Sequence, residues 1–429
     1  MIIAPLRLGI AGLGTVGVGV LKMITKNASL ISLRTGRDVI VTAVSARSRS
    51  KDRGISLSGL AWENDPIALA MREDVDVFVE LIGGSDGPAK DATEAAIAAG
   101  KDVVTANKAM LAVHGQSLAL AAESAGRAIR FEAAVAGGIP VVKALSEGLA
   151  GNKINRILGV MNGSCNYILT RMETSGLTYE DIFAEANALG YLEADPNLDV
   201  GGIDAAHKLA LLASIAYGTE VDFDNVVLEG IGAVTIEDIR AAADMGYRVK
   251  LLGVAQMTGR GLEQRMTPCL VPTISPLGQL EGGTNMVILE GDDSGQIVLR
   301  GAGAGEGPTA SAVMSDILDL ARGLRLNTFG QPAKTLSKAH PAATTTPAPF
   351  YLRMQLLDKP GALAKIAAVM GEAGVSIDRM RQYGHDAGKA PVLIVTHKTT
   401  RAAIDQVLVD FNITKVVEGT PVALRIETA

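Results

Sequence analysis

The sequence predicts an α/β chain in three parts: a doubly wound nucleotide-binding domain over 1–140, an α+β domain over 141–306 and a small β-α-β unit over 351–429, set off by a linker at 331–350. Three observations carry this. Short apolar runs alternate with helix-compatible stretches through the first 140 residues, the pattern of right-handed βαβ crossovers and a largely parallel sheet. From 141 onward the strand-like runs are separated by long helical stretches, which implies a more open sheet. Residues 331–350, QPAKTLSKAHPAATTTPAPF, are rich in Pro, Ala and Thr and lack periodicity.

The elements follow in order. Residues 6–10 form a short apolar run leading into AGLGTVG, with helix-compatible residues from Val16. VIVTAV (39–44) and VDVFVEL (75–81) are the next strands. DATEAAIAAG reads as an alanine-rich helix closed at Gly100, and KDVVTANKAML as a strand, a loop and a helix start. In the second part INRILGVMN (154–162) and YRVKLLGVAQM (247–257) are strands. GAGAGEGPTASAV (301–313) is a glycine-rich loop opening a helix, with Pro308 near its first turn. The last part reads strand, helix, strand, with Leu363, Ile366, Ala367 and Met370 at helical spacing.

Composition removes several function classes. A net charge of −6 offers no basic field for nucleic acid or an anionic membrane. Cys165 and Cys269 are too few for a disulfide framework, and the five histidines are scattered. No apolar run approaches the ~20 residues that span a bilayer. The N-terminus enters a strand without a charged leader, so the expectation is a cytoplasmic protein.

Gly12, Gly14 and Gly17 form GxGxxG between a strand and a helix. Glycine there permits a tight turn, close approach of backbone to a pyrophosphate and close helix packing. An acid ending the second strand would hold the ribose 2′-OH of NAD. Here Arg47, Arg49 and Lys51 come first and Asp52 only later. Basic residues suit a 2′-phosphate, so NADP is expected in preference to NAD; the alternative is a solvated basic loop.

A second cluster is more unusual. Glu193, Asp195, Asp199 and Asp204 precede Lys208 at the head of an apolar run. Acids favour a helix N-terminus, and Asp204 and Lys208, four apart, share a helix face. On its own that pair reads as an ordinary surface ion pair.

The run G-Y-L-E-A-D-P-N-L-D-V-G-G-I-D-A-A-H-K, from Gly190 to Lys208, resembles the signature of homoserine dehydrogenases. GLGTVG (12–17), VTANKA (104–109), EAAVAGGIPV (132–141), NGSCNYIL (162–169) and the GAGAG loop agree with that family in order and spacing. LLDKPGALAKIAAVMGEAGVSI resembles an ACT domain, a ferredoxin-like βαββαβ ligand-binding module. The resemblance implies a Rossmann-type domain, a substrate and dimerisation domain, and NAD(P)-linked interconversion of L-homoserine and L-aspartate 4-semialdehyde on the route to threonine, methionine and isoleucine. It implies Lys208 as proton donor and acceptor, Asp204 as the acid orienting it, and Lys108 as a second active-site lysine. Glu193, Gly190 and Asp199 would meet the substrate. Thr15, Val16, Thr105 and Gly305 would join the three glycines, Arg47 and Lys108 around the cofactor. Glu132, with backbone oxygens of Val135, Gly137 and Ile139, would hold a monovalent cation, sodium. The segment 294–323, or its later part (about 307–325), would be a helix returning to the nucleotide domain. A homodimer or homotetramer is expected, with an amino-acid effector, threonine, at the ACT domain.

Some readings stay open. Asp199 suits helix capping as well as substrate binding, whereas Asp195 suits a turn and His207 packing. The GAGAG loop reads as a flap over cofactor or as a flexible turn. Cys165 as the nucleophile of a semialdehyde dehydrogenase would need a neighbouring base. A non-catalytic NADP and amino-acid sensor would need none of the lysines. The ACT segment serves regulation or oligomer contact.

Overall fold

The computed structural model describes residues 4–192, 195–342, 346–384 and 388–428. Its first sheet takes β1 (Leu6–Ala11), β2 (Val39–Ser45), β3 (Ala61–Glu63), β4 (Val77–Glu80), β5 (Asp102–Thr105) and β6 (Ile129–Arg130) in the order β3-β2-β1-β4-β5-β6. Every pairing is parallel. The order reverses between β1 and β4, and ligands bind at such a switch point, beyond the carboxyl ends of the strands. Local chemistry starts the helices on this sheet. Asp65 caps Pro66–Met71 through the N–H of Ile67, and Asn107 caps Lys108–Ser124 through that of Met110. Gly100, at φ 72°, follows the helix Pro88–Ala98 as its left-handed stop.

The second sheet begins with β7 (Ile154–Val160), β8 (Val227–Leu228), β9 (Tyr247–Thr258), β10 (Gly261–Pro272), β11 (Thr284–Gly291) and β12 (Gly295–Ala302). The helix Ile203–Tyr217, carrying Asp204 and Lys208, packs its apolar face on this sheet; Leu209, Leu211 and Leu212 are fully buried. The front of the expected 294–323 helix is therefore a strand, β12, paired antiparallel with β11 at the sheet edge. Only the later part is helical, Glu306–Ala321. It packs on Thr15–Lys26 so closely that a Cβ on Gly19 would lie 2.8 Å from Glu306. Ala310, Val313, Ile317 and Leu320 there share a core with Leu8, Ile10 and Val79 of the first sheet.

The last strands are β13 (Phe350–Leu357), β14 (Ile377–Gln382), β15 (Lys389–Thr396) and β16 (Val417–Ile426), with the helices Ala362–Glu372 and Arg401–Ile413 between them. This is βαββαβ, as expected, but it is not a detached unit. β16 runs parallel to β10 with Cys269 opposite Arg425 and Leu270 opposite Ile426, so one sheet runs β12-β11-β7-β9-β10-β16-β13-β15-β14. Arg353 reaches Asp238 at 2.5 Å, and Arg381 and Tyr383 both reach Asp244, fastening the sheet to the helix Ile236–Asp244. Among the described residues no single helix is long and apolar enough to cross a membrane.

Candidate active site

A cavity of about 580 Å³ opens between the nucleotide-binding domain and the second domain. On its floor Asp204, 7% exposed, joins two lysines. Lys208 Nζ donates to Asp204 Oδ2 at 2.6 Å and to the Met161 carbonyl at 2.9 Å. Lys108 Nζ stands 3.0 Å from the other carboxylate oxygen. Burial alone would push the Asp204 carboxyl up, but Lys208 and then Lys108 outweigh it and hold the group well below the usual carboxylate range. The pair that spacing read as a surface contact is thus buried, and its third member comes from another domain.

Asn162 completes the floor. Its Oδ1 caps the helix Gly163–Ser175 at the N–H of Cys165, and its Nδ2 donates to Asp199 at 2.9 Å and to Asp204 at 3.4 Å. Asp199, buried in the short helix Asn197–Val200, lines the cavity, as does Gly190. Glu193 lies outside the described residues. Asp195 accepts the N–H of Asn197, a turn contact. His207 packs on Phe223, ring centroids 4.2 Å apart and planes tilted by 44°, and burial, aided by Lys108, pushes its pKa down. Cys165 is fully buried with Sγ on the Asp199 carbonyl, and burial, followed by Asp199 and Asp204, raises its thiol well above the usual value. That opposes a nucleophilic role.

The cofactor end shows three glycines with different duties. A Cβ on Gly12, at φ 101°, would lie 2.3 Å from the Leu81 carbonyl oxygen, and one on Gly17 would lie 2.1 Å from that of Gly12. At Gly14 it would meet nothing within 4 Å. Gly14 precedes the helix Thr15–Lys26, which has no side-chain cap, so its first N–H groups remain for an anion. The residues therefore fit a pyrophosphate. Val16, Lys108 and Gly305 line the cavity; Thr15 is exposed beside it. Thr105 is fully buried, its hydroxyl donating to Glu80 at 2.5 Å, which sets it behind the cavity wall. Arg47 is exposed just beyond β2. Arg53, absent from the expected set, ties that basic loop to the glycine loop through the Leu13 carbonyl at 3.1 Å.

Between the two ends, Glu132 is 1% exposed and accepts the N–H groups of Val142 and Lys143 at 2.9 and 2.8 Å. Burial, reinforced by Asp316, pushes its carboxyl up to about 7. The following turn places Ala136 and Gly137 both left-handed, at φ 55° and 54°, and packs Gly137 on Gly303 of the GAGAG loop. Consecutive left-handed residues turn successive carbonyls, and a buried carboxylate beside them suits one hard cation. Among the described residues no three acidic, His or Cys side chains gather as a metal site.

Asn162, Tyr191 and Asn285 line the cavity without having been marked by the sequence. Asn162 carried a readable signal, since an Asn immediately before a helix start is a capping residue. Asn285 carried none.

Comparison with known proteins bears on this arrangement. Residues 140–318 match the family model described as homoserine dehydrogenase, 12–132 its NAD binding domain, and 350–410 the ACT domain. The homoserine dehydrogenase of Neisseria gonorrhoeae is 41% identical over 99% of both chains, and that of Bacillus subtilis 36% identical over 98% of both. The crystal structure of a homoserine dehydrogenase from Thiobacillus denitrificans superposes with TM-score 0.94 at 37% identity, covering 100% of both chains. A hyperthermophilic archaeal homoserine dehydrogenase in complex with NADPH has TM-score 0.63 at 27% identity over 73% of this chain and 97% of its own.

Proposed function

The chain belongs to the homoserine dehydrogenase family, and from that premise we propose that it reversibly interconverts L-homoserine and L-aspartate 4-semialdehyde, with NADP(H) preferred over NAD(H). The observation that carries the reading is the buried Asp204–Lys208 pair, joined by the half-buried Lys108, facing a cavity that reaches Val16 of the glycine-loop helix. Oxidising a primary alcohol removes a hydride from carbon and a proton from oxygen. When bound, the nicotinamide supplies or accepts the hydride. Lys208 handles the proton. Asp204 and the Met161 carbonyl engage two of its three N–H directions, leaving the third for the substrate oxygen. In the reducing direction its ammonium polarises the aldehyde and donates; in the oxidising direction it accepts. Lys108 adds a second positive charge where negative charge develops on that oxygen. Asp199, Glu193 and the Gly190 backbone receive the amino end of the substrate.

The preference for NADP rests on the exposed Arg47 and its basic loop, which Arg53 holds beside the glycine loop. A sodium ion is proposed at Glu132 with the carbonyls of Val135, Gly137 and Ile139, supported by the raised carboxyl and the left-handed turn. It would brace the loop between domains. The ACT domain is read as the receiver of an amino-acid effector, threonine, in a cytoplasmic homodimer or homotetramer. The test is NADPH oxidation with L-aspartate 4-semialdehyde, with NADH in parallel, in the native chain and in Lys208→Ala. The expected outcome is a kcat lower by about 10²–10⁴-fold at unchanged nucleotide affinity. Full activity in the variant would return Asp204–Lys208 to a structural pair.

A further inference from the structure

We propose that a cavity at the seam between the second domain and the ACT domain binds a small aliphatic carboxylate, recognised by Arg265, Arg401 and Arg425. The cavity, about 330 Å³, lies where β10 meets β16 and shares no lining residue with the active-site cavity. Nor does it include Gly361, at the turn that opens the helix Ala362–Glu372 of the ACT unit.

Its depth is built from two guanidinium groups. Arg425, 7% exposed, donates through Nε to Glu427 at 2.5 Å and through Nη2 to the Thr346 carbonyl at 2.8 Å. Its Nη1 is buried and has no acceptor among the described residues. Arg265, 3% exposed, donates to Glu263 at 2.8 Å and to Glu427, and its Nε likewise has no acceptor. Buried charged donors are normally satisfied, because losing water without gaining an acceptor is costly. Both nitrogens are closed to water, but they sit on neighbouring side chains that line one cavity, and a small turn of either guanidinium brings an unsatisfied donor to an acceptor there. Glu263 and Glu427 already balance the two cations from the core side, so recognition rests on directed N–H groups more than on net charge. A carboxylate, with two oxygens in one plane, matches guanidinium donors. Arg401, 43% exposed at the mouth and paired with Asp405, supplies a further cation. Leu228, Pro268 and Phe350 form an apolar wall, which a short aliphatic group fills and a bare inorganic anion does not. The exposed Glu229 at the rim would meet an ammonium if the ligand carries one.

The lining comes chiefly from β8, β10, β13, β16 and the helix Arg401–Ile413, so a bound ligand ties the ACT unit to the catalytic part. This inference does not depend on the proposed reaction, and its test reads binding alone. Calorimetric titrations of the full chain at constant ionic strength would use 3-methylbutanoate, L-valine (the same skeleton with an α-ammonium) and inorganic phosphate. The expected result is saturable 3-methylbutanoate binding, weakened about tenfold in Arg401→Met. Tighter binding of L-valine with the same loss in Arg401→Met supports the site and brings in Glu229. Arg425→Met should abolish binding, but it also strips Glu427 of a partner, so Arg401→Met, which leaves the buried network intact, is the deciding variant. Absence of saturable carboxylate binding, equal binding in Arg401→Met, or binding of phosphate alone would each overturn the proposal.

Discussion

Asp204 is held between two ammonium groups, 2.6 Å from Lys208 and 3.0 Å from Lys108, in a place nearly closed to water. Its depressed pKa means that the folded state favours the carboxylate. The stabilisation is complete above the ordinary value of 3.8 and is lost only as pH falls through the lower folded value, so the charge persists across any working range. Asp204→Asn removes the anion and leaves the buried Lys208 facing the half-buried Lys108 with no charge between them. The expected result is a kcat reduced by roughly 10²-fold or more at unchanged NADPH affinity, because Lys208 loses the acceptor that orients it toward the substrate oxygen. A reduced rate matched by an equal loss of folded protein, or a kcat near the native value, would make Asp204 a structural residue only. Much of this group is legible in the chain, for Asp204 and Lys208 share a helix face by spacing alone. Lys108 is not reachable that way; it arrives from the start of another helix in another domain, and only family resemblance joins the two. Asn162 is legible as a helix cap, but its link to Asp199 and Asp204 is made by the other end of the same buried amide, which no spacing reveals.

The glycine loop and its helix divide one motif into steric and ligand-facing positions. Gly14→Ala adds a methyl into open space at an ordinary φ of −79°, so the fold should tolerate it, with a melting temperature within a degree or two. The same methyl occupies the approach of a pyrophosphate, and the KM for NADPH should rise about tenfold or more. Gly17→Ala drives a Cβ to 2.1 Å from the Gly12 carbonyl oxygen; overpacking of this kind costs about 1–3 kcal/mol, and its melting temperature should fall clearly. Equal melting temperatures in the two variants would sink the division. Motif and context made this element readable, because strand, glycines and helix are consecutive. The stretch 295–302 shows the opposite case: the sequence left open whether the returning helix began here or only at about 307, and the stretch is the edge strand β12, whose residues mostly alternate between exposed and half-buried. A short period-2 run next to a genuine helix start is easily absorbed into the helix, and only its pairing with β11 decides the matter.

At the scale of the molecule, the sequence marks a linker and therefore a separate last unit, whereas β16 extends the catalytic sheet. A strand pattern tells that a segment pairs but not which edge it meets, and Arg265 lies too far along the chain from Arg425 and Glu427 for their network to be read. The other junction is Glu132, whose backbone N–H donates to Asp316 on the returning helix while its carboxylate accepts from Val142 and Lys143 at the entry to the second domain. Its pKa is raised from 4.5 to about 7, so the native state binds the extra proton between those values. Stability contributed there must therefore fall as pH rises from about 4.5 to about 7, by something on the order of 3 kcal/mol, and stay low above it. A cation at the same carboxylate reverses that loss, because it favours the ionised form. Melting temperatures in sodium and in choline salts should accordingly diverge above pH 7 and converge near pH 5, with sodium the stabilising ion. Glu132→Gln should remove the divergence and flatten part of the pH dependence, leaving the share of Asp316, which burial pushes up to about 6 despite Lys143 and Arg130. A sodium effect of equal size at pH 5 and pH 8, or one that survives Glu132→Gln, would place the cation elsewhere and leave Glu132 a buried acid held only by backbone amides.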